Sequence, residues 1–116
     1  MSPSIEKFDY KDLCSRLGEE NPELVKDLLD TFIDDTYKRL NQLDLTDRDK
    51  LQRQLHTIKG AAGNVSAFAI QTVAIKYESD LKSGKSIDIP QAIQSIKSEV
   101  DQLVISAQEF LELNND

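Results

Sequence analysis

The chain has 116 residues, 21 Asp and Glu against 14 Lys and Arg for a formal charge of -7, one histidine and one cysteine. That length supports one core of useful size, so a single domain spanning residues 1–116 is expected. The acidic balance argues against nucleic acid as the main ligand, Cys14 cannot form an internal disulfide, and one His with one Cys cannot build a zinc site of familiar spacing.

Met1 to Lys7 reads as a loose lead-in, with Pro3 discouraging regular structure. A short helix is expected over Phe8–Leu17, with Phe8, Leu13, Cys14 and Leu17 on its apolar side, and Gly18 stops it. Cys14 reads as a small, partly buried apolar residue. Asn21-Pro22-Glu23 then supplies a capping side chain, a proline for the first helical position and an acid in the first turn. The helix it starts is expected to run to about Leu43. Leu24, Val25, Leu28, Leu29, Phe32, Ile33 and Leu40 line one side, and Lys26, Asp27, Asp30, Asp34 and Asp35 another.

Thr46-Asp47-Arg48-Asp49 has the form of a capping box with Asp in the final place. It opens a third helix expected to end near Asn64 or Val65. Leu51, Leu55, Ile58, Ala62 and Val65 recur along it at helical spacing as an apolar stripe. Ser66 is positioned to cap the next helix, where Ile70, Val73, Ala74, Tyr77 and Leu81 recur and Gly84 is the stop. Lys82 to Ile89 reads as a turn. Pro90 suits a first helical position, and the last helix runs to about Leu113 with Ile93, Ile96, Val100, Leu103, Ala107 and Phe110 inward. No segment alternates with period two between turn residues, so the expected fold is all-α. It is an up-down four-helix bundle with a short extra N-terminal helix closing one end. No apolar run approaches the roughly 18 residues of a membrane span and no signal peptide is evident. A cytoplasmic monomer without membrane contact is expected.

The third helix holds the chemistry. His56 lies off its apolar stripe and shares a surface with Gln52, Lys59, Gly60 and Gly63, because residues three and four apart are helix neighbours. Glycine inside a helix costs roughly 0.5–1 kcal/mol relative to alanine, so two on the histidine's face point to close approach of another surface. The stretch Lys50–Tyr77 holds no acid but does hold Lys50, Arg53, Lys59 and Lys76. That basic island in an acidic chain suits an anionic partner or a phosphoryl group. Neutral imidazole is a competent nucleophile, and Lys59 is placed for a charge-assisted hydrogen bond to a phosphoryl oxygen. No general base, metal set or nucleotide pocket accompanies them. This equipment fits a phosphoryl carrier rather than a complete enzyme.

His56-Thr57-Ile58-Lys59-Gly60-Ala61-Ala62-Gly63-Asn64 resembles the signature of histidine-containing phosphotransfer domains of bacterial multistep phosphorelays. The resemblance is strongest over this helix and extends more loosely over residues 8–113. It implies that His56 is the phosphoacceptor and Lys59 steadies the phosphoryl group. By the same resemblance Gly60 and Gly63 admit a docking receiver domain, with Gln52, Arg53 and Asn64 beside them in the partner-binding surface. The implied partners are receiver domains of response regulators and a hybrid sensor histidine kinase. The domain would need no cofactor of its own, magnesium being held in the receiver's acidic pocket. Where the family often has Leu-Glu late in the following helix, this chain has Tyr77-Glu78, a departure that touches packing rather than chemistry.

Two other readings stand beside it. The phosphoacceptor domain of a chemotaxis-type histidine kinase shares the His-x-x-Lys-Gly pattern. A non-catalytic helical adaptor explains the helices but not the lysine, the glycines and the missing acids together. Three weaker matches fall away. Gly60-Ala61-Ala62-Gly63 has the form of an RNA-binding GxxG loop but lacks strands and overall basic charge. Gly84-Lys85-Ser86 resembles the end of a P-loop, yet Ser79 stands where the first glycine belongs. A di-iron bundle would need a glutamate three residues before His56, and Arg53 is there.

Overall fold

The computed structural model describes residues 7–114, apart from the side chains of 111, 113 and 114. Five helices occur among the described residues and no strand: α1 (Tyr10–Leu17), α2 (Pro22–Asn41), α3 (Arg48–Asn64), α4 (Phe68–Lys82) and α5 (Ile89–Asn114). Helices α2 to α5 pack in a ring in which each touches its chain neighbours, and α5 closes back on α2. That is the up-down bundle the helical periodicity predicts. Of the lead-in expected over Met1–Lys7, all but Lys7 lies outside the described residues. Lys7 itself is tied to α5, its backbone N–H donating to Ser106 Oγ and its ammonium 3.4 Å from Glu99.

The core is a continuous apolar stack built from one face of each long helix. Val25, Leu29, Phe32 and Leu40 come from α2, Leu51, Leu55 and Ile58 from α3, Ile70, Ala74 and Leu81 from α4, and Ile96, Val100 and Leu103 from α5. Thr36 is buried in the gap that the apolar pattern of α2 leaves between Ile33 and Leu40. Its hydroxyl donates to the Phe32 carbonyl one turn back, so the polar group enters the core already satisfied. Cys14 is buried, as its small apolar character suggests.

The helix ends follow capping chemistry, with two corrections. Asn21 Oδ1 accepts from the Leu24 N–H, with Pro22 in the first turn. Gly18 and Gly84 take left-handed φ values of 79° and 75° just past their helices, the conformation that favours glycine at a C-terminus. Thr46 does not cap α3. Asp47 does, accepting from the Lys50 N–H at 3.1 Å, while Thr46 turns back to Asp44. Ser66 does not cap α4 either. It sits buried in the tight α3–α4 corner at φ 58°, Ala67 takes the cap position without a side-chain bond, and the Ser66 hydroxyl donates to Asp12 at 2.6 Å. The Asp9 N–H also donates to the Ser66 carbonyl. This corner therefore serves as the latch for α1, whose end of the bundle is completed by Phe8 and Tyr10 packing on Phe110. α2 ends at Asn41, two residues earlier than expected. There Gln54 from α3 takes over the chain, donating to the Gln42 carbonyl and accepting from the Asp44 N–H.

Candidate functional site

His56 stands in the middle of α3, and its position follows from helical phase. Leu55 and Ile58 point into the core with about 1% and 0% exposure, which turns His56 and Thr57 between them outward. The His56 side chain is 63% exposed. Its ring is nevertheless held. Nδ1 lies 2.9 Å from Glu78 Oε2, a carboxylate delivered by α4 across the α3–α4 seam. Lys59, one turn along α3, reaches the other oxygen of the same carboxylate at 2.6 Å, and Lys82 approaches at 3.5 Å.

Glu78 is the residue that sequence reasoning did not place in the site. Its side chain is only 4% exposed. A buried carboxylate costs several kcal/mol in lost hydration unless it is paired and hydrogen-bonded. Burial pushes the Glu78 carboxyl up, but hydrogen bonds from Lys59 and His56, with the charges of Lys59 and Lys82, outweigh it. The net pKa is below the ordinary 4.5, so the group is ionised at neutral pH. A signal was present in the sequence. Glu78 lies four residues after Ala74 and three before Leu81, both buried, so it is an acid on the inward side of its helix. It is also the first acid after the acid-free stretch.

An ionised carboxylate only accepts hydrogen bonds, so Nδ1 of His56 must carry the proton and donate. In the neutral ring Nε2 then keeps its lone pair. The site thus holds a single ring tautomer with its free nitrogen on the exposed side of the helix.

The other expected site residues divide between two flanks of His56. At about 100° per residue, Gln52, Lys59 and Gly63 fall on the flank toward α4, and Arg53, Thr57, Gly60 and Asn64 on the flank toward α2. Gly60 is exposed, and a Cβ there would meet nothing within 4 Å. Gly63 departs from expectation. It is buried in the α3–α4 seam, and a Cβ added there would come 2.5 Å from Gln71 Nε2. The open space expected over it is filled by a side chain of the chain's own α4. Gln52 is half-buried, and Arg53 and Asn64 are exposed.

The basic island is also smaller than it reads in sequence. Lys59 is bound to Glu78, Lys76 pairs with Asp80 at 3.5 Å while lying over the Tyr77 ring, and Lys50 is 3.9 Å from Asp44. Tyr77, in the family's usual leucine place, is buried with its hydroxyl 3.4 Å from Ser95 Oγ. No cluster of His, Cys, Asp and Glu able to hold a metal occurs among the described residues, and no helix there is long and apolar enough to cross a membrane.

No curated protein and no solved structure matches the chain. The family model for the Hpt domain does, over residues 27–105, from the first turns of α2 into α5 and including His56, Lys59 and Glu78. With that match over more than half its length, and with an exposed, carboxylate-held histidine on a helical bundle, the chain belongs to the Hpt domain family of two-component phosphotransfer.

Proposed function

We propose that the chain is a phosphorelay intermediate that accepts a phosphoryl group on His56 from the phosphoaspartate of one receiver domain and passes it to the aspartate of another. The observation that carries this reading is the 2.9 Å bond from His56 Nδ1 to buried Glu78. In the forward step the Nε2 lone pair attacks phosphorus and a nitrogen–phosphorus bond forms. The bond from phosphorus to the aspartyl oxygen breaks, and the aspartate leaves as a carboxylate with that electron pair. The imidazole keeps its Nδ1 proton and becomes cationic. Glu78 then faces a positive ring rather than a neutral one, which stabilises the product without any proton transfer. The return step reverses each bond change.

Lys59 has three donors, of which the contact to Glu78 occupies one. The others are free to reach a phosphoryl oxygen, so Lys59 steadies the transferred group while keeping Glu78 paired. Gly60 leaves the approach to Nε2 unobstructed, with Arg53 and Asn64 beside it as contacts for the receiver and Gln52 at the edge. Magnesium belongs to the receiver in this scheme. The protein works as a monomeric carrier in the cytoplasm.

The test is transfer from a phosphorylated receiver domain to the wild-type chain and to His56→Gln. The wild type should take up phosphate at Nε2, identified by the nitrogen shifts of the modified ring, and the variant should take up none. Label retained by His56→Gln, or label on Nδ1, would overturn the assignment.

A further inference from the structure

On the flank of His56 away from Glu78, a cleft of about 270 Å³ opens between the C-terminal end of α2 and the middle of α3. Arg39, Gln42, Lys50, Arg53, Gln54 and Thr57 line it, three cations and no acid. Such a lining is unusual in a chain of charge -7. Its floor is already fixed. Gln54 spends both ends of its amide on the Gln42 carbonyl and the Asp44 N–H, and the Thr57 hydroxyl donates to the Arg53 carbonyl. Lys50 is offset by Asp44 at 3.9 Å. The guanidiniums of Arg39 and Arg53 have no ion pair or hydrogen bond among the described residues. Every other cation close to His56 is partnered, so these two arginines carry the uncompensated charge of this face.

We propose that this cleft anchors an acidic segment of the protein that docks on His56, with Arg39 and Arg53 gripping its carboxylates. The proposal rests on the phosphotransfer reading, and it assigns to the partner a direction of approach. Guanidinium forks match carboxylates in pairs of parallel hydrogen bonds. The volume falls just below the roughly 300–1,000 Å³ of small-molecule sites, room for one or two side chains inserted from above. Position favours a protein over a free anion. The flank carrying Arg53 and Thr57 also carries Gly60, where nothing stands within 4 Å of a would-be side chain. The opposite flank is closed by Gln71 over Gly63 and by Lys59 on Glu78. A surface reaching Nε2 over Gly60 therefore extends toward α2 and covers the cleft. The competing surface is on α4, where Phe68 and Ile75 are exposed two turns apart.

The experiment uses a receiver domain that binds the wild-type chain, and compares Arg39→Ala, Arg53→Ala, the double variant and Ile75→Ser in binding and in phosphate transfer. Each arginine variant should raise KM about tenfold with kcat within about twofold, because the charges act in association and not on the transferring bond. The difference from wild type should shrink in about 0.5 M salt, where such charges are screened. Unchanged KM in Arg39→Ala, or a KM that moves with Ile75→Ser alone, would overturn the proposal. A pyrophosphate titration followed by the arginine side-chain NMR signals adds a second arm. Tight pyrophosphate binding with receiver KM indifferent to Arg39 would make the cleft a small-anion site and overturn the proposal. Receiver binding measured by isothermal titration separates the proposal from the reading beneath it. Binding weakened by Arg39→Ala without label on His56 upholds the cleft and removes the carrier. Label on His56 with binding unaltered does the reverse.

Discussion

Replacing Lys59 by alanine removes two things at once, and the structure makes their sizes comparable. One is the donor that the phosphotransfer reading assigns to the phosphoryl oxygens. The other is the 2.6 Å partner of a carboxylate with almost no contact with water. A hydrogen bond to a charged group is worth about 1.5–3 kcal/mol, and an unpaired buried charge costs at least as much. Lys82 and His56 remain to hold Glu78, so Lys59→Ala should destabilise the fold by about 1–2 kcal/mol, near the low end of that range. Transfer should slow by about one to two decades, each decade being about 1.4 kcal/mol. Urea unfolding and receiver transfer on the same variant check both. A variant as stable as wild type would show that Glu78 does not depend on Lys59. Glu78→Gln asks the complementary question. Because the folded pKa is lowered below 4.5, the stability Glu78 contributes is fully present above its unfolded value and is lost as pH falls through the folded one. The stability of wild type relative to Glu78→Gln should therefore be constant near neutrality and decline below about pH 4.5. A difference that stays flat through the acid range would contradict a charged Glu78 in the folded state.

At the scale of the helix, the two glycines of α3 have opposite surroundings, and one substitution at each separates them. Gly60→Ala meets open space, so it should stabilise the fold by up to about 1 kcal/mol through helix propensity alone. Gly63→Ala pushes on the end of the flexible Gln71 side chain. That side chain can rotate away, so the propensity gain is mostly offset and the change should be near neutral. The longer side chain of Gly63→Gln competes with Gln71 for the α3–α4 seam and should cost about 1–3 kcal/mol by overpacking. Shortening Gln71 to Ala in the Gly63→Gln background should recover part of the loss. Thermal melts of the four variants decide it, and an early-melting Gly60→Ala would mean α3 is packed on the side now placed in solvent. Receiver transfer should fall with a bulky residue at Gly60 and should follow stability alone at Gly63.

For the molecule as a whole, the distribution of charge matters more than the total. The chain carries -7, and the acids of α2 (Glu23, Asp27, Asp30, Asp34 and Asp35) are exposed. An acidic partner is therefore repelled at long range and attracted only when its surface meets α3. Both terms are screened over roughly 10 Å at 0.1 M salt. Transfer rates should fall modestly between about 0.05 and 0.5 M salt, because the short-range attraction is lost while the weaker repulsion was screened first. A rate that rises steadily with salt would mean repulsion dominates at contact as well. His56→Gln should leave the melting temperature within a degree or two of wild type, since Lys59 and Lys82 remain on Glu78 and the glutamine amide is itself a donor.

The amino-acid sequence by itself determined the helices, their inward faces and the outward placing of His56, because all three follow from short-range rules. Periodicity places Leu55 and Ile58 in the core and so places His56 in water, whatever the rest of the chain does. Asn21 starts its helix, and Gly18 and Gly84 end theirs, through bonds to residues at most five positions away. What depends on pairing between helices was decided only by tertiary structure. Glu78 is 22 residues from His56, and nothing local says that its carboxylate crosses a seam to set the imidazole tautomer. Gly63 and Gly60 are both glycines in one helix facing outward from its apolar stripe. Which of them is covered depends on where α4 places Gln71. Ser66 reads as a helix cap because its neighbours do, until the α3–α4 corner takes its backbone left-handed and gives its hydroxyl to α1. Arg39 gave no sign of a role, since it joins Arg53 only when α2 and α3 lie side by side. Local chemistry specifies which way a side chain faces along its own helix. What it faces is specified by the packing of another helix against it, and that is where charges find partners and glycines find or lose open space.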